Sequence, residues 1–355
     1  MPTVRYKWVF DTGGAGRGAW IGGIGHALTK AAQAAGIYPD VVIGSSVGAY
    51  MAADAASGDP QVFIKGWSDW GAESVPPPAV SPIEQGFWKA RHFRAHLKHS
   101  IEYVLDDVMI QRILSEDNPT RLIVCTTQIS KRNGEPINRR DMRRLFLQSL
   151  MRKWPVKCIF AEYMYRAVLF DSRAKTSTPV IKKLTPENLR EAIMASCLIP
   201  LAMGTPLRYD ALDLIDAGFT LKMPLYLPSD AIYADLAREI EADKTLAISV
   251  EPDGRLWETT MRLHQWNDRW DVQQAMREGK LLVISPPREI AAGMLCRDNR
   301  TIMKIFWEGA EYAEQVLRSE AGKRFFELLP LRLHLVHCCG ATMNKVERIE
   351  RTGAK

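Results

Sequence analysis

Residues 41–56 read VVIGSSVGAYMAADAA, and the character of the chain changes abruptly within them. Val41–Ile43 is a β-branched run suited to a buried strand. Met51–Ala56 is an alanine-rich run suited to a helix closed by Gly58. Between them Gly44-Ser45-Ser46-Val47-Gly48 fits G-x-S-x-G. A strand that turns sharply into a helix at a serine with small neighbours is the setting of a nucleophile elbow. The bend holds the serine in strained backbone geometry and aims Oγ at the helix N-terminus, where free N–H groups favour negative charge. Ser46 is therefore a candidate nucleophile, with Gly44 and Gly48 as the small residues of the bend. A tight turn with a capping serine is the simpler alternative.

On the N-terminal side, Tyr6–Phe10 is a short apolar run ended by a glycine-rich loop, and Gly18 to Ala35 carries apolar residues at helical spacing. The first 58 residues thus predict strand, helix, strand, helix, the start of a parallel sheet covered by helices. Downstream, residues 74–82 hold four prolines and predict a loop, and Arg121–Thr127 predicts a buried strand. Thr185 and Pro186 predict the N-cap and first position of a helix that continues through Asn188–Ser196. Leu212–Asp216, Leu246–Val250 and Leu281–Ile284 predict strands, and Met303–Leu329 one long helix. The expected architecture is a single α/β domain over residues 1–355, a central mostly parallel sheet flanked by helices. Its core spans about 6–290, with a C-terminal helical segment over about 291–355.

Composition narrows the function classes. The 355 residues are 46% hydrophobic and 25% charged, which excludes a disordered, collagen-like or coiled-coil chain. No run of about 18 apolar residues predicts a membrane span, and MPTVRYKWVF lacks the apolar core of a secretory signal. Six scattered cysteines without a C-x-x-C pair predict reduced thiols in a cytoplasmic protein and no structural zinc. The basic character is local: residues 131–157 hold nine Lys/Arg against Glu135 and Asp141, more excess charge than the +6 of the whole chain. Met142, Leu145, Leu147, Leu150, Met151 and Trp154 fall roughly on one helical stripe between those cations. Such a helix can lie on an anionic membrane surface, or it can be a solvated face over a core stripe. No nucleic-acid-binding motif accompanies it. His92, His96 and His99 share one helix face, but Arg91, Arg94 and Lys98 surround them, so no metal is expected there.

A second loop, Thr12-Gly13-Gly14-Ala15-Gly16-Arg17-Gly18, follows the first strand and opens the first helix. Successive N–H groups there can form an anion-binding nest. Gly14–Ala19 also fits G-x-G-x-x-A, but a dinucleotide site wants an acid at the end of the next strand, and that strand ends in Gly44-Ser45-Ser46. An oxyanion hole beside an activated serine is the alternative. The serine also needs a base. His264, His334 and His337 lie late enough to complete a triad, although His264 sits among Trp257, Trp266 and Trp270. A carboxylate at a strand end is the other choice, and Leu212–Gly218 offers Asp216 followed by Ala217 and Gly218.

In this order the residues resemble the patatin-like phospholipases. Gly13–Gly18 resembles the family's G-G-G-x-R-G, Ser46 stands in its G-x-S-x-G, and Asp216-Ala217-Gly218 resembles its D-G-[GA]. Ala195-Ser196-Cys197-Leu198-Ile199-Pro200 resembles the family's approach to that aspartate. Ala15 replaces the third glycine, which is strained if that position needs positive φ, and the aspartate turn reads D-A-G. The resemblance implies a three-layer fold and a Ser46–Asp216 dyad without histidine. It implies N–H groups of Gly13, Gly14, Ala15 and Gly16 as the oxyanion hole, and Arg17 ordering that loop or meeting a phosphate. It also implies no cofactor, a phospholipid or other fatty-acyl ester as substrate, and peripheral contact with an anionic membrane. The competing readings are a serine esterase or thioesterase with a histidine triad, and a silent lipid-binding protein.

Overall fold

A computed structural model describes residues 4–70, 94–141 apart from 134, 136 and 139, 163–199, and 203–326 apart from 263, 294, 295 and 297. The basic stretch beyond Asp141, the proline-rich residues 74–82, Pro200, His92, His334 and His337 lie outside the described residues.

The described strands form one nine-stranded sheet. They are β1 (Tyr6–Phe10), β2 (Val41–Ser45), β3 (Arg121–Lys131), β4 (Tyr163–Asp171), β5 (Ile181–Lys183), β6 (Leu207–Tyr209), β7 (Leu212–Ile215), β8 (Lys244–Ile248) and β9 (Leu281–Ile284). The order runs β5-β4-β3-β2-β1-β8-β9, with the β6–β7 hairpin attached to β3. Five neighbouring pairs are parallel; β3–β4, β3–β7 and β6–β7 are antiparallel. The mostly parallel sheet expected from the first 58 residues is what forms.

Side chains alternate across the sheet with the two-residue period of a strand. Trp8, Phe10, Val42, Leu122, Val124, Leu246 and Ile248 pack on one face. Val9, Val41, Ile43, Ile123, Cys125 and Ala247 pack on the other. Helices α1 (Gly14–Ala35), α2 (Val47–Ala56), α3 (Gln61–Ser68) and α5 (Asn299–Arg318) cover the first face; the second is covered by residues 221–240 and 256–272. Helices α1 and α5 pack backbone to backbone, since a Cβ at Gly23 would meet the Phe306 carbonyl oxygen and one at Gly309 the Trp20 carbonyl oxygen at 2.4 Å. This contact ties the C-terminal segment into the same core.

Two expected helices differ in extent. Helix α4 (Leu189–Ser196) starts at Leu189, not at Pro186. The Asn188 side chain accepts from the Thr185 N–H and donates to the Lys183 carbonyl and the Tyr209 hydroxyl, which holds 185–188 in a turn. The run from Met303 is two helices, α5 and α6 (Glu320–Phe326), because Ser319 is extended at ψ 159°. Its hydroxyl donates to the Val316 carbonyl and accepts from the Gly322 N–H, closing one helix and opening the next.

Candidate active site

Strand β3 brings the two candidate residues together. Its register with β2 pairs Ser45 with Cys125. Its antiparallel register with β7 pairs Ile215 with Thr127. Strand β4 occupies the other edge of β3 from Ile123 to Lys131. Strands β2 and β7 therefore share one edge, approach each other head-on and stop on either side of Thr126. Ser46 leaves the end of β2, Asp216 leaves the end of β7, and both arrive at the level of Thr126. Chain positions 170 residues apart meet because two strands terminate on the same rail.

Ser46 takes φ 57° and ψ −133°, a region in which a residue with a Cβ is strained. Its N–H, belonging neither to the β2 ladder nor to α2, donates to the hydroxyl of Ser196 at 2.8 Å. The bend is tight enough that a Cβ at Gly48 would lie 2.3 Å from the Asp11 carbonyl oxygen, so the start of α2 lies directly against the end of β1.

Asp216 is 5% exposed and caps a 3₁₀ turn over Ala217–Phe219, where its Oδ1 accepts the Gly218 N–H at 2.8 Å. Its own N–H donates to the Leu198 carbonyl at 2.9 Å. Burial pushes its pKa up to about 6, opposed by a hydrogen bond from the Ser46 side chain, by the Gly218 N–H and by the Lys222 charge. The Ser46 hydroxyl thus faces the Asp216 carboxylate. The Cys197 thiol interacts with the Ser46 side chain and feels the Asp216 charge, and burial raises its pKa well above its ordinary value.

The glycine-rich loop runs beside this pair. Helix α1 opens at Gly14 with no side chain capping its first turn. The bend falls on Gly14, at φ 68°, while Ala15 is fully buried without a positive φ. Alanine in place of the third glycine therefore carries no backbone strain. A Cβ at Gly18 would meet Val47 Cγ1 at 2.5 Å, and one at Gly218 would approach Thr12 Cγ2 at 3.2 Å. The loop thus touches both the elbow and the aspartate turn. Arg17 points to two carboxylates, Glu251 at 3.9 Å and Glu289 at 4.0 Å.

The family's sequence profile, described as patatin-like phospholipase, matches residues 9–228. The chain belongs to the patatin-like phospholipase family. This patatin-like chain matches no curated protein. Among solved structures it is similar to VipD from Legionella pneumophila at 14% identity and a TM-score of 0.34, covering 89% of this chain and 67% of that one, a likeness too loose to carry an argument. Membership makes lipid acyl hydrolysis the chemistry at family level.

The patatin-like site includes groups that residue spacing did not single out. Lys222, Asp11 and Glu251 form a buried ionic cluster: Lys222 Nζ lies 2.8 Å from both Asp11 carboxylate oxygens and 3.3 Å from Glu251. Arg262 adds two hydrogen bonds to Glu251 at 2.8 and 2.9 Å. Ser196 and Leu198 hold the backbones of Ser46 and Asp216. Only the Ala195–Pro200 motif hinted at these two, and a lone lysine six residues past Asp216 carried no signal. Among the described histidines, His264 is exposed, His26 is hydrogen-bonded to the Pro60 carbonyl, His96 packs on Trp70 and His99 faces Asp69. Among the described residues no cluster of three or more His, Cys, Asp or Glu could hold a metal, and no helix is long and apolar enough to cross a membrane.

Proposed function

We propose that this chain, acting as a single domain, hydrolyses fatty-acyl esters of phospholipids or related lipids through Ser46 and Asp216. The observation that carries the reading is the buried Asp216 carboxylate facing the Ser46 hydroxyl at the strained elbow. Asp216 accepts the hydroxyl proton as Ser46 Oγ attacks the ester carbonyl, and the carbonyl electron pair moves to oxygen. The N–H groups of Gly13, Gly14, Ala15 and Gly16, at an uncapped helix start, receive that oxyanion. The tetrahedral species collapses, the ester C–O bond breaks, and Asp216 returns the proton to the departing alcohol. Water then repeats the sequence on the acyl-enzyme: Asp216 takes its proton, and Ser46 leaves with that proton as the fatty acid is released.

A carboxyl near pKa 6 is a better base than an ordinary aspartate and is still mostly ionised at neutral pH. Arg17, held between Glu251 and Glu289, orders the loop from its outer side. The cationic residues 131–157 give the chain attraction to an anionic lipid surface, worth about 1 kcal/mol per Lys or Arg near it.

The test is fluorophosphonate labelling combined with hydrolysis of a fatty-acyl ester. Wild type is expected to label at Ser46, and Ser46→Ala and Asp216→Asn to lose at least about 10³-fold in kcat, while His264→Ala remains active. An active Ser46→Ala removes the nucleophile, and a dead His264→Ala replaces the dyad with a triad. Unlabelled, inactive wild type leaves a lipid-binding protein.

A further inference from the structure

Ser46 poses a problem that the elbow does not solve by itself. At φ 57° it sits in a region a side-chain-bearing residue occupies only when its surroundings over-determine it. It is also 6% exposed, so its N–H needs an acceptor other than water. The ladder between β2 and β3 ends at Ser45, and α2 begins at Val47. The acceptor comes from 150 residues away: the hydroxyl of Ser196, itself fully buried, at 2.8 Å. Two residues further on, the Leu198 carbonyl accepts the Asp216 N–H at 2.9 Å. Between them, the buried Cys197 thiol interacts with the Ser46 side chain.

We infer that Ser196 is a positioning residue for the nucleophile, and that Ser196–Leu198 is a brace setting the separation of Ser46 and Asp216; this rests on the proposed roles of those two residues. Ser196 is the last residue of α4, where a serine hydroxyl ordinarily turns back onto a carbonyl of its own helix. Here it crosses to the elbow. The last turn of α4 therefore holds the nucleophile by a side chain, and the residues just beyond it hold the base by a main-chain carbonyl. Because Ser196 and Leu198 are nearly adjacent in sequence, covalent geometry limits how far the two held amides can drift apart. The β3 edge sets the level at which the two residues meet, and the brace sets their separation.

The test compares Ser196→Ala, which deletes the acceptor, with Ser196→Cys, which keeps the shape and offers a weak sulfur acceptor. Three quantities are read: kcat and KM on a fatty-acyl ester, normalised to sites titrated by a fluorophosphonate; the fluorophosphonate inactivation rate; and hydrogen exchange of the amides over residues 44–50. Ser196→Ala is expected to lose about 10²-fold in kcat per titrated site, since misplacement of a reacting group by about an ångström costs that much. KM should change less than about 3-fold, inactivation should slow in parallel, and Ser46 N–H exchange should accelerate at least about 10-fold. Ser196→Cys should fall between Ala and wild type in each quantity.

A structural role alone would lower the folded fraction while leaving kcat per titrated site and the local exchange pattern unchanged, and that result overturns the brace. Should Ser196→Ala fail to fold, Ser196→Cys matching wild type in kcat and exchange overturns it equally. Should wild type prove unreactive at Ser46, the catalytic reading fails on its own, and the exchange measurement still decides whether Ser196 holds the amide.

Discussion

The ammonium of Lys222 sits 2.8 Å from each carboxylate oxygen of Asp11, with both side chains buried. Asp11 lies between the end of β1 and the glycine-rich loop; Lys222 lies one turn past the Asp216 cap. Asp11 also accepts from the N–H groups of Thr12 and Val250 and from the Ser249 hydroxyl. The pair therefore fastens the proposed oxyanion loop to the aspartate turn and to the end of β8 at once.

Removing the cation should be costly. In Lys222→Met the Asp11 and Glu251 carboxylates stay buried, and Glu251 keeps only the half-exposed Arg262 and Arg17 at its edge. A broken buried ion pair typically costs about 3–5 kcal/mol. Urea denaturation should show a loss of that order, partly restored by adding Asp11→Asn. A Lys222→Met protein within about 1 kcal/mol of wild type would show that the cluster adds nothing to the fold.

The pKa of Asp216 makes an activity prediction with a definite sign. The proposed base must be ionised, and burial lifts the Asp216 pKa from 3.8 to about 6. The kcat/KM of the free enzyme should thus be flat above pH 7 and fall tenfold per unit below about 6. An acid limb near pH 4 would contradict the burial argument.

The same shift makes a stability prediction of opposite sense. Because the folded pKa is raised, the folded state binds more protons than the unfolded chain between about pH 3.8 and 6, so stability falls as pH rises through that window. Above it, the ionised Asp216 is a net cost of up to about 3 kcal/mol. Asp216→Asn should accordingly be inactive yet more stable than wild type at pH 7.5, with the advantage gone at pH 3.5. Thermal melts at the two pH values measure this.

Backbone strain at Ser46 predicts a second exchange of activity for stability. Glycine adopts φ 57° without the penalty that serine carries there, so Ser46→Gly should raise stability by about 1 kcal/mol while abolishing hydrolysis. Ser46→Ala, which keeps the Cβ, should be equally inactive without that gain. Equal melting temperatures for the two variants would place the strain elsewhere.

Arg143→Glu with Arg144→Glu should weaken binding to vesicles containing anionic lipid, and added salt should weaken wild-type binding in the same direction. Vesicle co-sedimentation that is unchanged in the double variant removes the membrane-surface reading of residues 131–157.

Legibility of the fold followed the range of the interactions involved. Strands β1, β2 and β9 and helix α2 were legible because their apolar runs and glycine punctuation are local. Strand β4 was not expected: its first residues alternate in burial, but the exposed Met164 is apolar, so Tyr163–Arg166 shows no polar alternation in sequence, and its partner is the antiparallel edge of β3. The start of α4 was misplaced at Pro186 because Asn188 makes contacts to Lys183 and Tyr209 that sequence spacing does not reveal. The break at Ser319 was available in principle, as a serine three residues ahead of Gly322, but helical periodicity on both sides concealed it.

What the sequence alone determined is a pair of bends: a serine between a β-branched strand and an alanine-rich helix, and a glycine-rich turn ahead of another helix. Both follow from steric demands within a few residues. That Asp216 is the acid meeting Ser46 was decided in three dimensions, because β2 and β7 stop head-to-head on one edge of β3, and such a register is a choice among distant pairings. Its raised pKa has the same origin: the shift comes from water excluded by the surrounding chain, which only the packed molecule supplies.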